Sequence, residues 1–359
     1  VNEVALKLTA YFAERERAGS QFLADEMFDL FAQRRVVTSV MLRGISGFGH
    51  RRIIRTDESL TLSDDPAVAV AAVDTPQVIR ALAREVAAMT SSGLITVERA
   101  RLLDGDVAAV PPPDGDDADA VKLTIYVGRK RRADRVPAYK AVCALLHRHG
   151  FDGASVFLGV DGTAHGERRR ARFVGHNADV PLMIIAVGST TQVRTTVAEL
   201  DELLDRPLMT VERVQVCKND GRLQRRPPAL PESDDRGRPV WQKLMVFTSE
   251  ADRHAGVPIH RALVRRLWES GASGATVLRG VWGFQGGREP HGDKVFQFGR
   301  QVPVMTVVID SPSRVAAAFD IVDAMTAGRG LVTCEMVPAL LAVDGESRRG
   351  TTDLADYSY

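Results

Sequence analysis

The chain has little cysteine, no excess of charge of either sign and no long apolar run, and each shortage removes a class of function. Cys143, Cys217 and Cys334 are the only cysteines in 359 residues, and they lie far apart. With an odd count and no CxxC spacing they read as reduced, buried thiols of a cytoplasmic protein, not as a disulfide framework. No HExxH or comparable grouping of ligand residues occurs, so no metal site is expected. Lys plus Arg number 47 against 46 Asp plus Glu. So even a balance gives the whole molecule no basic field of the kind that gathers nucleic acid. No stretch approaches the roughly 18–20 apolar residues that span a bilayer, so the chain is not expected to be a membrane protein itself. The first residues lack a short apolar segment leading to a small-residue cleavage site, and no secretion signal is expected. Catalytic arrangements are missing as well. No Ser-His-Asp or Cys-His set and no paired carboxylate stands out, so the expectation is a protein that is not an enzyme.

What is there is an ordinary globular composition, 45% hydrophobic and 26% charged, in a chain long enough for two or three domains. An internal repeat organises it. Three segments open alike, LKLTAYF, VKLTIYV and QKLMVFT, and their lysines Lys7, Lys122 and Lys243 are 115 and 121 residues apart. The glycines of LRGISGFG, FLGVDGTA and LRGVWGFQ, Gly44, Gly159 and Gly280, keep the same separations. Pro66, Pro181 and Pro303 open three apolar runs, and Glu98, Glu212 and Glu335 sit in ITVER, MTVER and VTCEM. Four landmarks in register define three copies, at 4–103, 121–217 and 241–343. Between them, 104–120 carries six acids, no base and three consecutive prolines, and 218–240 is rich in Pro and Arg. Both read as linkers, extended or disordered, and the tail at 344–359 reads the same way.

Each copy has the pattern strand, helix, strand, long loop, strand, helix, strand. The first helix repeats a core stripe: Leu23, Met27 and Phe31; Ala138, Val142 and Leu146; Ile259, Leu263 and Leu267. The second is expected to start after the N-caps Asp74, Ser189 and Ser311, with Val78 and Leu82, Val193 and Val197, and Val315 and Phe319 facing inward. A βαβ–βαβ order predicts an α+β, ferredoxin-like unit: a four-stranded antiparallel sheet with both helices on one face. The third strand, Pro181 to Val187 for example, is apolar at nearly every position, which predicts burial on both faces. With three copies in one chain, the economical cover for the second face is the other two sheets. That gives an intramolecular pseudo-trimer with three clefts between domains, where ligands are preferentially held.

The openings KLT-Y, the segments Leu42–Phe48 and Leu278–Phe284, and the closings Leu94–Glu98 and Leu208–Glu212 resemble domain-of-unknown-function family 190, which is PII-like in fold. The resemblance covers nearly all of each copy and neither the linkers nor the tail. It implies a trimer-like signal transducer, with adenine nucleotide as the implied ligand of the clefts. It also implies a membrane transporter as partner, fluoride-exporting channels being associated with the family. The PII turn after the second strand is matched by Gly47-Phe48-Gly49 and, in copy three, by Gly283-Phe284-Gln285-Gly286, whereas copy two has Gly162-Thr163-Ala164. The PII phosphate loop before the last strand is reduced to Thr90–Gly93, Leu204–Pro207 and Thr326–Gly330, and the long loops carry no tyrosine for the PII-type modification.

The candidate ligand residues are therefore Arg43, Gly44, Gly47, Phe48 and Gly49 in copy one and Arg279, Gly280, Gly283, Phe284 and Gly286 in copy three. Each has a plain structural alternative. The strand-end glycines suit a positive φ or a close backbone approach as well as a ligand contact. A glycine turn can cradle an anion with its N–H groups. Arg43 and Arg279 can clamp a phosphate or carboxylate, or form an inter-domain salt bridge. His50 and His165 are in register, followed by Arg51-Arg52 and Arg168 to Arg170. These form either a solvated loop or a basic loop that docks an acidic partner. Lys7, Lys122 and Lys243 read as outward, partly buried lysines at the cleft. An RNA-binding function is not expected, because the central strands lack the stacking aromatics and basic residues it needs. A purely structural oligomerisation module remains the alternative to a sensor.

Overall fold

The structure, a computed structural model, describes residues 4–49, 51–56, 65–103, 120–133, 135–164, 167–168, 181–205, 207–292 and 301–357. Copy one comprises β1 (Val4–Ala13), α1 (Leu23–Gln33), β2 (Thr38–Phe48), β3 (Ala67–Asp74), α2 (Pro76–Met89) and β4 (Ser92–Leu103). Copy two follows with β5 (Ala120–Gly128), α3 (Ala138–Arg148), β6 (Gly153–Ala164), β7 (Pro181–Ser189), α4 (Thr190–Leu204) and β8 (Leu208–Asn219). In copy three, β9 (Trp241–Ser249) and α5 (Ile259–Glu269) precede a second strand broken into β10 (Ala275–Arg279) and β11 (Trp282–Gln285). Then come β12 (Pro303–Asp310), α6 (Pro312–Met325), β13 (Leu331–Val337), β14 (Ala339–Asp344) and β15 (Ser347–Thr351).

Within copy one the strands lie in the order β2–β3–β1–β4, every pair antiparallel. Copy two repeats this as β6–β7–β5–β8, and copy three as β10–β12–β9–β13. The architecture is thus mixed α/β, with six helices among the described residues. The expected stripes on the first helices are all buried. On α2 the buried stripe is Ile79, Leu82, Ala83 and Val86, one residue off the expected phase at Val78.

Only one of the three expected N-caps works through its side chain. Ser189 forms a capping box with Gln192, each side chain bonding the other's backbone N–H. Ser311 stands at the N-cap of α6 without a side-chain cap bond. At α2 the N-cap is Thr75, and Asp74 instead accepts the backbone N–H of Val37, which ties β3 to the start of β2. Proline in the first turn of α2 and α6 supplies pre-set φ where a capping bond is missing.

The copies are joined at both sheet edges. The second half of β2 pairs with β10, through Gly47↔Thr276 and Gly44↔Leu278. The second half of β6 pairs with the first half of β2, and β11 pairs with the first half of β6. On the other edge β4 runs into β8 at Leu103↔Met209, β8 into β13 at Gln215↔Cys334, and β14 returns to β4 at Ala339↔Val97. Both circuits close, copy to copy to copy. Three helix-covered cores result, one per copy, and a fourth apolar cluster draws on all three. Val73, Ile185 and Val307 enter this shared core from the third strands, so those strands are covered on both faces, as their unbroken apolar runs predict.

Two segments differ from expectation. The tail folds back as the β14–β15 hairpin, and Arg99 donates to the carbonyls of Ala355 and Tyr357. Residues 218–240 are likewise fixed. Asp234 accepts from the backbone of Arg236, Arg238 and Asp356, and Gln242 donates to the Pro228 carbonyl. Both segments are polar, but backbone ladders and charge-assisted hydrogen bonds order them without an apolar stripe. The 104–120 linker, apart from Ala120, lies outside the described residues.

Candidate functional site

The most unusual chemistry lies where the three sheets meet. Antiparallel register places Lys7 beside Glu98, Lys122 beside Glu212 and Lys243 beside Glu335, always on the first and fourth strands of one copy. All six side chains are buried; Lys122 is only 1% exposed. Each lysine bridges the glutamate of its own copy and that of another. Lys7 meets Glu98 at 3.2 Å and also Glu212. Lys122 meets Glu212 at 2.9 Å and Glu335 at 2.7 Å. Lys243 meets Glu335 at 2.8 Å and also Glu98. Six alternating charges form one closed ring, with no net charge.

Burial alone drives carboxylates toward the neutral acid and ammonium groups toward the neutral amine. Burial pushes Glu98 up, but Lys243 and Lys7 more than reverse this and hold its carboxyl well below the usual range. Glu212 is lowered against burial in the same way, by Lys122 and Lys7. Burial pulls Lys7 down, yet Glu212 and Glu98 raise it well above its ordinary value; Glu335 and Glu98 raise Lys243. At Lys122 burial prevails over Glu212 and Glu335, and the group lies below its ordinary value. Burial also pushes the phenol of Tyr11, on the same face of β1, up to about 12.

The three carboxylates bring one oxygen each within 4.8 Å of one another, close enough in geometry to hold a cation. The chemistry opposes it. Their charge is already matched by three ammonium groups at bonding distance, and a divalent ion would leave the ring with a large buried excess charge. This ring is a tie between copies. It corrects the reading of Lys7, Lys122 and Lys243 as outward lysines at a cleft.

The expected ligand residues lie elsewhere, where second strands cross between copies. A Cβ on Gly44 would stand 2.7 Å from the Ala67 carbonyl, and one on Gly47 would stand 2.5 Å from that of Ala275. Gly280 and Gly283 face the Val156 and Ala154 carbonyls at 2.9 and 2.2 Å in the same sense. Close backbone approach accounts for all four, to another copy at Gly47, Gly280 and Gly283, and at Gly44 first to its own third strand and then, at 3.2 Å, to the Val277 carbonyl of copy three. Gly49 faces open space, and Gly286, at φ +56°, donates its N–H to the Asp152 carbonyl at 2.8 Å. Phe48 and Phe284 are buried, Phe284 edge-on to His147 with ring centroids 5.1 Å apart.

Arg43 pairs with Glu14 at 2.8 Å and Arg279 with Glu250 at 2.7 Å, each within its own copy and not across copies. Glu14 and Glu250 both lie seven residues after the repeat lysine; copy two has Arg129 there and Leu158 in place of the arginine. Loss of both partners together is what an ion pair explains. The loops before the fourth strands in copies one and three are covered by turns. The Gly345 N–H donates to the Ser91 carbonyl and that of Gly221 to the Gly330 carbonyl, both at 2.8 Å.

His50 and His165 lie outside the described residues. Arg51 reaches Asp344 at 3.4 Å, and the Arg52 guanidinium stacks 5.0 Å from the Trp268 ring centroid. Both ties bind the base of the copy-one loop to copy three. The loop also exposes Ile53 and Ile54, which sequence reasoning passed over. No helix among the described residues is long and apolar enough to cross a membrane.

Comparison with known proteins agrees with the repeat. The profile of DUF190, described as an uncharacterized ACR, matches three times, over residues 5–102, 120–216 and 241–339. A UPF0166 protein of Aquifex aeolicus (strain VF5) is 32% identical over 104 residues, covering 29% of this chain and 97% of its own length. One copy here thus equals a whole relative there. Among solved structures, an aspartate kinase from Synechocystis aligns over 94% of this chain but 44% of its own, at 12% identity and a TM-score of 0.24. CrmK, a flavoenzyme involved in shunt product recycling in caerulomycin biosynthesis, aligns over 82% of this chain and 57% of its own, at 13% identity and a TM-score of 0.20. Similarity that low conveys no shared fold or activity.

Proposed function

The chain belongs to the DUF190 family, and on that premise we propose that it is a cytoplasmic, PII-like ligand sensor without enzymatic activity. Three ferredoxin-like copies close as an intramolecular pseudo-trimer. A small anion, adenine nucleotide being the first to test, binds at the junctions between copies and alters how the long loops engage a membrane transporter. The observation that carries this reading is the closed circuit of second-strand pairing, in which each junction is built from the second strands of two copies, at the base of a long loop.

Electrostatics ranks the junctions. Arg43 is exposed and Glu14 partly so, and such a surface pair is worth about 0–1 kcal/mol. An incoming phosphate can therefore recruit Arg43 at little cost. Arg279 and Glu250 are more enclosed, and copy two offers Leu158. A ligand should fill the Arg43 junction first. Thermal unfolding with ATP, ADP and AMP tests this: ligand at 100 times its Kd adds about 2.7 kcal/mol. Arg43→Ala should remove most of that gain. No shift with any adenine nucleotide would rule out the nucleotide reading. The second reading, a purely structural module, is favoured by the packing role of Gly44, Gly47, Gly280 and Gly283 and by the ion pairs of both arginines.

A further inference from the structure

Between the first strand and first helix of each copy stands a two-rung hairpin: Arg17–Phe22, Arg132–Pro137 and Arg253–Pro258. The one in copy two differs sharply in charge. Arg129, Lys130, Arg131, Arg132 and Arg135 are all exposed on it, and Val136, paired with Ala133 on its returning strand, is 44% exposed. Against those five cations the copy-two stretch has one acid, Asp134, whereas the matching stretches of copies one and three carry Glu14 and Glu16, and Glu250 and Asp252, which offset their arginines. Arg131 reaches the Leu204 carbonyl at 2.6 Å and exposed Asp205 at 3.7 Å, and Arg132 folds back on the Arg135 carbonyl. These ties shape the turn and leave its cations at the surface. Beside it, the Lys140 ammonium lies 4.3 Å from the Trp282 ring centroid, with Tyr139 edge-on to the same ring.

We propose that the copy-two hairpin is a docking site for an anionic lipid surface. The hairpin has only two paired rungs and exposes cations on both sides of its turn beside an exposed valine, a combination of charge and apolar surface that suits a headgroup layer. Its basic residues attract anionic headgroups, and an exposed Val136 with partly exposed Tyr139 supplies the apolar and amphipathic side chains that settle at an interface. Near neutrality of the whole chain hides this local field. The inference stands independently of a ligand in the inter-copy junctions.

The test is co-sedimentation of the full chain with phosphatidylcholine vesicles, with and without about 30% phosphatidylglycerol, in about 0.1 M salt. Binding is expected to the anionic vesicles only. Each arginine near the surface contributes about 5-fold in affinity, so Arg129→Ala with Arg132→Ala should weaken binding about 25-fold. Arg17→Ala, on the copy-one hairpin, should change nothing. Val136→Ser should weaken vesicle binding and leave binding to a single-stranded oligonucleotide or an acidic peptide unchanged. All four substitutions fall on exposed side chains, and an unaltered unfolding midpoint verifies that each variant is folded. Equal sedimentation with neutral vesicles, or undiminished binding by the double variant, overturns the proposal. Tighter binding to the oligonucleotide or peptide than to vesicles overturns it in favour of another polyanion.

Discussion

Replacing Lys122 by methionine keeps roughly the volume and removes one ammonium group from the buried ring. Glu212 and Glu335, held at 2.9 and 2.7 Å by that group, then face each other across at most 4.8 Å. Two unit charges at 4.8 Å repel by about 3.5 kcal/mol at an effective dielectric of about 20. That agrees with the about 3–5 kcal/mol that breaking a buried pair costs. Relief is available, because one carboxylate can take up a proton, and its pKa must then rise. The sign of the pH dependence follows. In the parent, the depressed carboxyls of Glu98 and Glu212 contribute stability that is present above about pH 4.3 and lost as pH falls through their folded values. In Lys122→Met, a raised carboxyl makes stability increase as pH falls from neutrality. Urea unfolding at pH 5 and pH 7.5 reads both effects. Adding Glu335→Gln should recover most of the loss, since Glu212 keeps Lys7 and Lys243 keeps Glu98. A single variant costing under about 1 kcal/mol, with the parent's pH dependence, would refute the ring as a charge-coupled tie.

The ring should also set an alkaline limit. Lys7 and Lys243, raised in the fold, contribute stability fully present below about pH 10.4 and lost as pH climbs through their folded values; Lys122, lowered, works in the opposite sense, so two groups outweigh one. The melting midpoint, followed against pH, should fall above pH ~10.4. Gly47→Val forces a Cβ to within 2.5 Å of the Ala275 carbonyl and should cost more than about 3 kcal/mol in urea unfolding, whereas Gly49→Ala, facing open space, should stay within about 0.5 kcal/mol. Light scattering should give one chain or two per particle, and not three, because both edge circuits close within one chain. Cleavage between Leu103 and Ala120 should leave the fragments associated on native gel filtration, held by the β4–β8 ladder and the ring.

The repeat was legible because its landmarks recur at fixed spacing, and the double burial of the third strands because Pro181 to Val187 has no polar face. The ring was only half legible. Its lysines and glutamates were themselves landmarks, yet strand alternation tells which face a side chain takes and not what covers that face. Lys7 finds Glu212 205 residues away and Lys122 finds Glu335 213 away, distances at which no local pattern operates. Gly44 and Gly47 carried a true signal, close backbone approach; the partner of Gly44 is first Ala67 of its own copy, but that of Gly47, Ala275 on a strand of copy three, could not be read locally. Order in the tail escaped because it rests on backbone ladders and on Arg99, not on an apolar stripe.

Fusing three copies frees each to differ, and what they nonetheless keep alike separates structure from function. A homotrimer must carry any substitution three times around its axis; a single chain need not. All three copies keep the lysine and glutamate of the ring, and all three keep a buried threonine two residues before the glutamate, at Thr96, Thr210 and Thr333. One such threonine, Thr96, donates to Glu98 at 2.9 Å. Removing any member leaves an unmatched buried charge or polar group, so drift there is penalised in every copy equally. At the surface the copies part. Arg43 with Glu14 and Arg279 with Glu250 become Leu158 with Arg129 in copy two, and the same copy gathers the basic hairpin from Arg129 to Arg135. A change that drops an ion pair at a junction and adds cations at an adjoining tip follows no stability requirement of the shared core. It ends the equivalence of the three copies at that surface, giving the chain a face that three identical copies cannot have.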